Sequence, residues 1–301
     1  MPFALKEFDV TEKTKGVLFL INELGYTQKE AQRLISKGRL SVNGEVMSRT
    51  SGFVEGKVSL ICFEPKSRGL KPIFETPEFA IYDKPTGVLV HPQNRHTPYS
   101  IIDEAKYAYG KDANITHRID QETSGLLLIA KNKTSERSLK MMFENREMQK
   151  GYLALVHGEF PNELYVDAPL LRKEDESAIV RMVVRVHEDG KASQTSFKRL
   201  CYYPELNMSL IEASPRTGRQ HQIRVHLFHV KHPIVGDPIY GQTEEDIVRF
   251  LDREISKDER IQKSGASRLM LHANQLCFRH DSQFCINSKD IFAKDPLSLL
   301  K

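Results

Sequence analysis

The residues best suited to chemistry lie in one short segment, which runs from His117 to Gly125 and reads HRIDQETSG. A single carboxylate, Asp120, stands in it between an arginine and a polar Thr-Ser-Gly turn. The apolar run 126–130 follows at once and has the length and composition of a buried strand. An ionised carboxylate can stabilise or attack a carbon atom that develops positive charge, as in glycoside hydrolysis. The outline alone is more typical of a polar loop that enters a core strand.

The full string is far more specific than its outline. It resembles the signature H-R-L-D-x-x-T-S-G of the RluA family of pseudouridine synthases, with Ile119 where leucine is usual. Four further segments extend the resemblance in the family's order, and they read KPTGVLVHP (84–92), KGYLALV (150–156), TGRQHQIRVH (217–226) and PIVGDPIYG (233–241). Asp83 stands where asparagine is common. The series spans most of residues 70–275.

The resemblance implies roles for four residues. The family's catalytic aspartate maps to Asp120, and the arginine of its active site maps to Arg224, whose guanidinium can hold a carboxylate through two hydrogen bonds. The active-site tyrosine maps to Tyr152. A phenol with a pKa of about 10 is a poor base at neutral pH, so stacking on uracil is the favoured role. Arg118 is expected to help fill the space that a flipped-out nucleotide leaves.

The implied reaction needs no cofactor. Conversion of uridine to pseudouridine breaks the bond from ribose to the base nitrogen, rotates the uracil and rejoins it through carbon 5, without a redox step or a group donor. No G-x-G-x-x-G or Walker sequence occurs in the chain. His226, His229 and His232 have regular spacing, but no Cys or Asp cluster surrounds them, and we expect no metal site.

The elements that position these residues are short strands with a few helices. Strands are predicted at 79–82, 88–90, 126–130, 152–156, 194–198 and 208–213, and a helix at 138–148. Thr217 and Gln220 fit a capping box, which would place Arg224 on the helix that it starts. His117 is expected to support its loop by hydrogen bonding. These patterns favour an α+β fold with a mixed, largely antiparallel sheet flanked by helices. Residues 242–267 are predicted to form a surface helix or insertion, either bordering the RNA groove or simply solvated.

Residues 1–68 are predicted to form a separate small α+β domain. Apolar residues between Val17 and Leu24 have helical spacing, and Gly25 can end that helix. A capping box at Thr27 and Glu30 starts a second helix that Gly38 ends. A hairpin with an Asn-Gly turn follows over 40–46, and 58–63 is strand-like.

This arrangement resembles the alpha-L RNA-binding domain, mainly through its two short helices and its R-L-x-V-N-G-x-x-M hairpin. The resemblance implies that basic side chains contact the phosphates of structured RNA, namely those of Lys29, Arg33, Lys37 and Arg39. A basic stripe alone is more typical of a solvated helix face. The sequence Lys15-Gly16-Val17 stands where Arg-Leu-Asp is common, so less RNA contact is expected from the first helix. The second, catalytic domain is expected over 69–301.

Composition sets broad limits. The chain has 301 residues, of which 40% are hydrophobic and 28% charged, and it can bury a sizeable core. A net charge of +4 and a pI of about 8.7 permit an RNA partner. Four widely spaced cysteines predict reduced thiols rather than a disulfide framework or a structural zinc site. Without a signal peptide at residues 1–10 or an apolar run near the roughly 20 residues of a membrane span, we expect a cytoplasmic protein with no membrane partner. We also expect a monomer.

Three hypotheses follow. The first is an enzyme that isomerises uridine in ribosomal RNA, with the large subunit favoured. The second is the same chemistry on transfer RNA. The third is a non-catalytic RNA-binding factor for ribosome assembly whose active site is vestigial. The joint presence of Asp120, Tyr152 and Arg224 favours an enzyme, because a binding protein needs none of them.

Overall fold

The computed structural model describes residues 2–172 and 183–300. The chain divides into two compact units, one formed by Met1–Ser67 and Pro92–Tyr99, the other by Arg68–His91 and Ser100–Lys301. Among the described residues, no helix is both long enough and apolar enough to cross a membrane.

The first unit is a four-stranded antiparallel sheet with two helices. Its elements are β1 (Phe3–Lys15), α1 (Gly16–Asn22), α2 (Gln28–Ser36), β2 (Leu40–Val42), β3 (Glu45–Val46) and β4 (Phe53–Phe63), and the strand order is β1-β4-β2-β3. Phe19 and Leu20 of α1 pack with Ala31 and Ile35 of α2 in the core of this unit. The apolar face of each helix is therefore covered.

Two local predictions for this unit are confirmed. The Thr27 hydroxyl accepts a hydrogen bond from the Glu30 N–H, and the Glu30 carboxylate accepts one from the Thr27 N–H, so the capping box forms. The β2–β3 hairpin turns at Asn43 and Gly44, which both have positive φ.

Two strands differ from expectation: β1 was not predicted, and β4 begins at Phe53, well before the expected start. Strand β1 carries only exposed or half-exposed residues, so it lacks a strong apolar period. In the first part of β4, residues 53–57, only Val54 is buried, whereas the predicted part alternates buried and half-buried residues.

The second unit is built on a ten-stranded sheet. Its strands are β5 (Phe74–Glu75), β6 (Phe79–Lys84), β7 (Asn114–Ile115), β8 (Ser124–Ala130), β9 (Gln149–His157), β10 (Glu163–Asp167), β13 (Gln194–Tyr203), β14 (Met208–Pro215), β15 (Leu271–His280) and β16 (Ser282–Asn287), while β11 (Leu170–Arg172) and β12 (Val184–Val186) pair separately. The main order is β10-β13-β14-β9-β15-β8-β6-β5, with β16 on β15 and β7 on β8. Every pairing is antiparallel except β15 with β8. The prediction of a mixed, largely antiparallel sheet is confirmed.

In the described part of this unit, six helices accompany the sheet: α3 (Ile101–Tyr109), α4 (Lys133–Glu144), α5 (Gln222–His229), α6 (Glu244–Leu251), α7 (Lys257–Ser264) and α8 (Ile291–Lys294). The helix predicted at 138–148 is thus shifted toward the N-terminus. The strand predicted at 88–90 is wrong, since the described chain has only an isolated bridge there, between Leu89 and Ser100.

The predicted capping box at Thr217 and Gln220 is also wrong. Helix α5 begins at Gln222, and its N-cap is His221 in a left-handed conformation with φ of 54°. The Thr217 hydroxyl instead donates to the Gln222 side chain at 2.6 Å, and the Arg219 N–H donates to the same oxygen at 3.0 Å. Arg224 does lie on the helix, as expected.

The expectation of four reduced thiols is wrong for one pair. Cys277 and Cys285 face each other across the β15–β16 hairpin and are joined in a disulfide, with 4.0 Å between their Cα atoms. Cys62 and Cys201 are free thiols.

Candidate active site

A cavity of about 720 Å³ in the second unit contains the predicted catalytic residues. Asp120, Tyr152, Arg224 and Arg118 all line it, although they come from three segments that are far apart in the sequence. The other predicted RNA-binding residues, Lys29, Arg33, Lys37 and Arg39, belong to the first unit.

The sheet register explains why distant segments meet here. Ala273 of β15 is paired with Tyr152 of β9 on one side and with Gly125 of β8 on the other. Asp120 lies just before β8, so the carboxylate loop and the tyrosine are brought to the same level of the sheet. Gly125 has φ of 108°, and a Cβ there would lie 2.3 Å from the Ala273 carbonyl oxygen. The glycine that closes the HRIDQETSG segment is therefore required by this close approach.

A buried lysine holds the loop that follows Asp120. The Lys84 ammonium is fully buried and donates to three carbonyl oxygens, those of Pro85, Val88 and Gln121, at 2.8–2.9 Å. Burial lowers the pKa of Lys84 to about 7, but only the ammonium form has three N–H donors for three acceptors. The Thr86 hydroxyl donates to the Glu122 carbonyl at 2.6 Å. The segment that reads KPTG thus fixes the backbone beside the Asp120 carboxylate.

The Asp120 carboxylate has an arginine partner, as the resemblance implied. Arg224 Nη1 lies 3.3 Å from Asp120 Oδ2, across 104 residues of sequence. The Asp120 side chain keeps a 25% exposed fraction, whereas that of Arg224 keeps 3%. The carboxylate can therefore be reached from the cavity while its counter-charge stays inside the protein.

A second carboxylate, which sequence reasoning missed, fixes this arginine. Asp237 accepts two hydrogen bonds from Arg224, Nε to Oδ2 and Nη2 to Oδ1, both at 2.8 Å. Asp237 Oδ1 also accepts from the Ile239 and Tyr240 N–H groups. Burial alone would lower the pKa of Arg224, but the charges of Asp237 and Asp120 raise it overall, so the guanidinium stays charged. The sequence signal that could have identified Asp237 was its place as an acid inside the PIVGDPIYG segment.

Tyr152 is suited to stacking rather than to proton abstraction. Burial raises the pKa of its phenol, and the negative charge of Asp120 raises it further. The hydroxyl therefore keeps its proton at neutral pH and cannot act as a base. Its ring lines the cavity that contains Asp120.

The expectation that His117 supports its loop is confirmed. His117 Nε2 accepts a hydrogen bond from the Leu128 N–H at 3.0 Å, and the ring stacks on Phe143 with 4.4 Å between centroids. Burial lowers the pKa of His117 to about 3, with a smaller contribution from Lys150. The neutral ring is the form that can accept from Leu128.

This histidine predicts how stability changes with pH. Its pKa is about 3 in the folded protein against 6.5 for an ordinary histidine, so the unfolded chain binds an extra proton between those values and the folded protein loses stability as pH falls through that range. We expect His117→Gln, which keeps an acceptor, to reduce the slope of unfolding free energy against pH by up to about 1.4 kcal/mol per pH unit. Chemical denaturation between about pH 4.5 and about pH 7 measures this slope. The matched control is His229→Gln, at an exposed histidine; equal slopes in both variants would contradict the prediction.

Basic side chains surround the Asp120 cavity. They are Arg118, Lys140, Arg146, Lys150, Arg216 and Arg219, against the single further acid Glu144. Arg118 is exposed and, among residues 2–172 and 183–300, pairs with no carboxylate. The cavity rim can therefore neutralise the phosphates of a nucleic acid strand.

The segment 242–267 contacts this site through Arg260. Helices α6 and α7 carry mostly exposed or half-exposed residues, but Arg260 of α7 forms an ion pair with Glu122 at 2.8 Å and donates to the Gly236 carbonyl at 2.9 Å. Glu122 follows Asp120 by two residues, and Gly236 precedes Asp237. Arg260 thus connects the loop that contains Asp120 to the segment that contains Asp237.

Asp83, the departure from the family pattern, lies in a buried network behind the loop. It accepts a hydrogen bond from the Ser288 hydroxyl. His272 links Ser288 to Ser124 at the start of β8, with 2.8 Å on each side. The ends of β6 and β8 are thereby joined to β15.

Comparisons with known proteins agree with this geometry. The family model for RNA pseudouridylate synthase matches residues 78–229. A Helicobacter pylori protein named "Uncharacterized RNA pseudouridine synthase" is 37% identical over 92% of this chain and 91% of its own length. The "Ribosomal large subunit pseudouridine synthase C" of Vibrio vulnificus is 34% identical over 87% of this chain and 84% of its own. The solved structure of "Human RNA Pseudouridylate Synthase Domain Containing 1" superposes with a TM-score of 0.58 and 26% identity, over 76% of this chain and 86% of that one.

Proposed function

We propose, from the premise that this chain belongs to the RNA pseudouridylate synthase family and to its RluA branch, that it isomerises uridines of large-subunit ribosomal RNA. The chain is an RNA pseudouridine synthase. The choice of RNA rests on one observation: the relative from Vibrio vulnificus that carries the name of a ribosomal large subunit synthase matches nearly the whole length of both proteins.

In the proposed reaction Asp120 acts on the anomeric carbon of the flipped uridine. The bond from C1′ to N1 breaks as the carboxylate stabilises or attacks that carbon, and N1 leaves with the bonding electron pair. The uracil rotates and C5 bonds to C1′, while any bond between Asp120 and C1′ breaks with its electrons returning to the carboxylate. Loss of the proton from C5 and uptake of a proton at N1 complete the product, an isomer of uridine. Arg224 holds the Asp120 carboxylate through a hydrogen bond of 3.3 Å, Tyr152 stacks on the base, and Arg118 occupies the space that the nucleotide leaves.

Four cations of the first unit are proposed to contact RNA phosphates. Lys29, Arg33 and Lys37 are exposed on α2 and its C-cap, and Arg39 is half-buried beside them. The pKa of Lys37 is lowered chiefly by the charge of Arg33, and that of Arg39 by burial and then by Arg33. This mutual repulsion is relieved when a phosphate group binds among them, which supports an anionic partner.

Removal of two of these cations is expected to weaken RNA binding without loss of stability. Arg33→Ala with Lys37→Ala removes two phosphate contacts and also their repulsion. The slope of log affinity against log salt concentration should fall by about 1 per cation, and the melting temperature should not decrease. Fluorescence titration with ribosomal RNA fragments at several salt concentrations measures the slope. The control is Lys57→Ala, an exposed lysine of the same unit; an equal loss of affinity in the control would contradict a specific surface.

The proposed substrate is tested by mapping pseudouridine across all cellular RNA. Cells that lack the gene are compared with cells that carry either the wild-type gene or Asp120→Asn. We expect defined uridines of large-subunit ribosomal RNA to lose their modification without the gene, and only the wild-type copy to restore it. Loss confined to transfer RNA would overturn the substrate, and unchanged modification of every RNA would overturn the proposed function.

A further inference from the structure

His221 is held in one tautomer by a chain of hydrogen bonds that starts at the backbone. The Val184 N–H donates to the Tyr240 hydroxyl oxygen at 3.1 Å. That oxygen lies 2.9 Å from His221 Nδ1. Because the hydroxyl is buried and a buried donor is satisfied in nearly all proteins, its proton is directed to Nδ1. The neutral ring then carries its own proton on Nε2.

The ring is neutral at physiological pH. The pKa of His221 is lowered to about 4, chiefly by burial and then by the charge of Arg224, while Asp120 and Asp237 act in the opposite direction without restoring it. Both nitrogen roles are therefore fixed, with Nδ1 as acceptor and Nε2 as donor.

The backbone conformation of His221 directs the Nε2–H group toward the Asp120 carboxylate. His221 has φ of 54°, a conformation that is unusual for a bulky residue. The Gln222 side chain holds the preceding loop by accepting from the Thr217 hydroxyl and the Arg219 N–H. As a result, His221 Nε2 lies 3.8 Å from Asp120 Oδ2.

The Arg224 guanidinium and the His221 ring both lie nearest to the same oxygen atom of Asp120. Arg224 Nη1 lies 3.3 Å from Oδ2, the atom that also faces His221. Among the described residues, the hydrogen bonds and close charged contacts of Asp120 all involve Oδ2. Oδ1 is thus the oxygen left for the substrate.

We propose that His221 is a positioning residue that, as a neutral Nε2–H donor beside Arg224, fixes Oδ2 of Asp120 so that Oδ1 faces the anomeric carbon of the uridine. The inference rests on the proposed chemistry of Asp120. The 3.8 Å separation shortens to a hydrogen bond of about 3.0 Å when the substrate is bound, as catalytic hydrogen bonds often tighten in the complex.

Two substitutions distinguish the effect of losing the Nε2–H donor from the effect of changing the backbone conformation at residue 221. His221→Gln can place an N–H near the position of Nε2, whereas His221→Asn is too short and reaches only the position of Nδ1. Asparagine tolerates a positive φ better than histidine or glutamine, so His221→Asn relieves backbone strain while it removes the donor. A loss of activity in His221→Asn therefore cannot come from the backbone.

The experiment measures single-turnover rates at saturating RNA, the dissociation constant for RNA, and the melting temperature. We expect His221→Asn to lower the rate by about 10²-fold, with affinity and melting temperature unchanged, as for other preorganised donors. His221→Gln should retain a rate within about five-fold of wild type and Tyr240→Phe, which frees the tautomer, should fall between them.

The rates are measured on the RNA that the pseudouridine map identifies, so that a different substrate leaves this comparison intact. A wild-type rate in His221→Asn would overturn the role of His221. Equal losses in His221→Asn and His221→Gln would also overturn it, because the position of the donor would then be irrelevant. A wild-type enzyme that modifies no RNA would instead overturn the proposed function.

Discussion

Replacement of Asp120 by asparagine abolishes uridine isomerisation, with a loss of at least about 10⁴-fold in single-turnover rate, while the protein stays folded. The amide has nearly the shape of the carboxylate but can neither carry the negative charge nor attack the anomeric carbon. Arg224 keeps its two hydrogen bonds to Asp237, so no buried charge loses its main partner. Pseudouridine formed in a defined RNA fragment gives the rate, and thermal melting gives the stability.

The matched control for this variant is Glu144→Gln. Glu144 lines the same cavity, so the substitution removes one negative charge from it without touching Arg224. We expect its rate to stay within about ten-fold of wild type, since only long-range electrostatics change. If Asp120→Asn kept a comparable rate, the carboxylate would not be the reacting group.

Replacement of Asp237 by alanine has the largest expected effect on stability. It leaves the buried Arg224 guanidinium without its bidentate partner and two backbone N–H groups without their acceptor. Removal of one partner from a buried ion pair costs about 3–5 kcal/mol of unfolding free energy. The rate should also fall by about 10²-fold, because Arg224 is no longer fixed toward Asp120. Denaturant titration and single-turnover assays measure the two effects.

Two further variants decide the cause of that loss. Asp237→Asn keeps an acceptor for the Ile239 and Tyr240 N–H groups but turns an amide NH₂ toward the guanidinium, so we expect an intermediate loss of stability. Asp112→Asn breaks a half-exposed pair with Lys133, which is worth only about 0–1 kcal/mol. If Asp237→Ala lost no more stability than Asp112→Asn, the buried pair would not hold the site.

Local features of this chain could be predicted because their causes are local. The α2 capping box and the Asn43–Gly44 turn need only neighbouring residues, and both form as expected. The start of α5 was misplaced because the Gln222 side chain competes for Thr217, the residue that was expected to cap the helix. A capping pattern in the sequence does not show whether the Thr217 hydroxyl caps a helix or bonds to a nearby side chain such as that of Gln222.

Long-range features could not be predicted from spacing. The pair of Asp120 and Arg224 came only from family resemblance, since 104 residues separate them. Asp237 carried only the signal of an acid inside its segment, and Arg260 gave no local signal of its role, because its partner Glu122 is far away in the sequence. Lys84 reads in the sequence as part of a turn, yet its chain crosses the interior to reach the Gln121 carbonyl. Such contacts follow from the tertiary fold, not from any window of sequence.

The three carbonyl bonds of Lys84 also bear on how this site opens. Lys84 is paired with Gly125 at the end of the β6–β8 ladder, and its ammonium holds the Gln121 carbonyl between that ladder and Asp120. The loop cannot detach alone, because its release would leave a buried ammonium with an acceptor missing. We therefore infer that the loop and the first residues of β8 open together, as one cooperative unit of the native-state ensemble. Amide hydrogen exchange would report this as equal opening free energies for residues on both sides of Thr123.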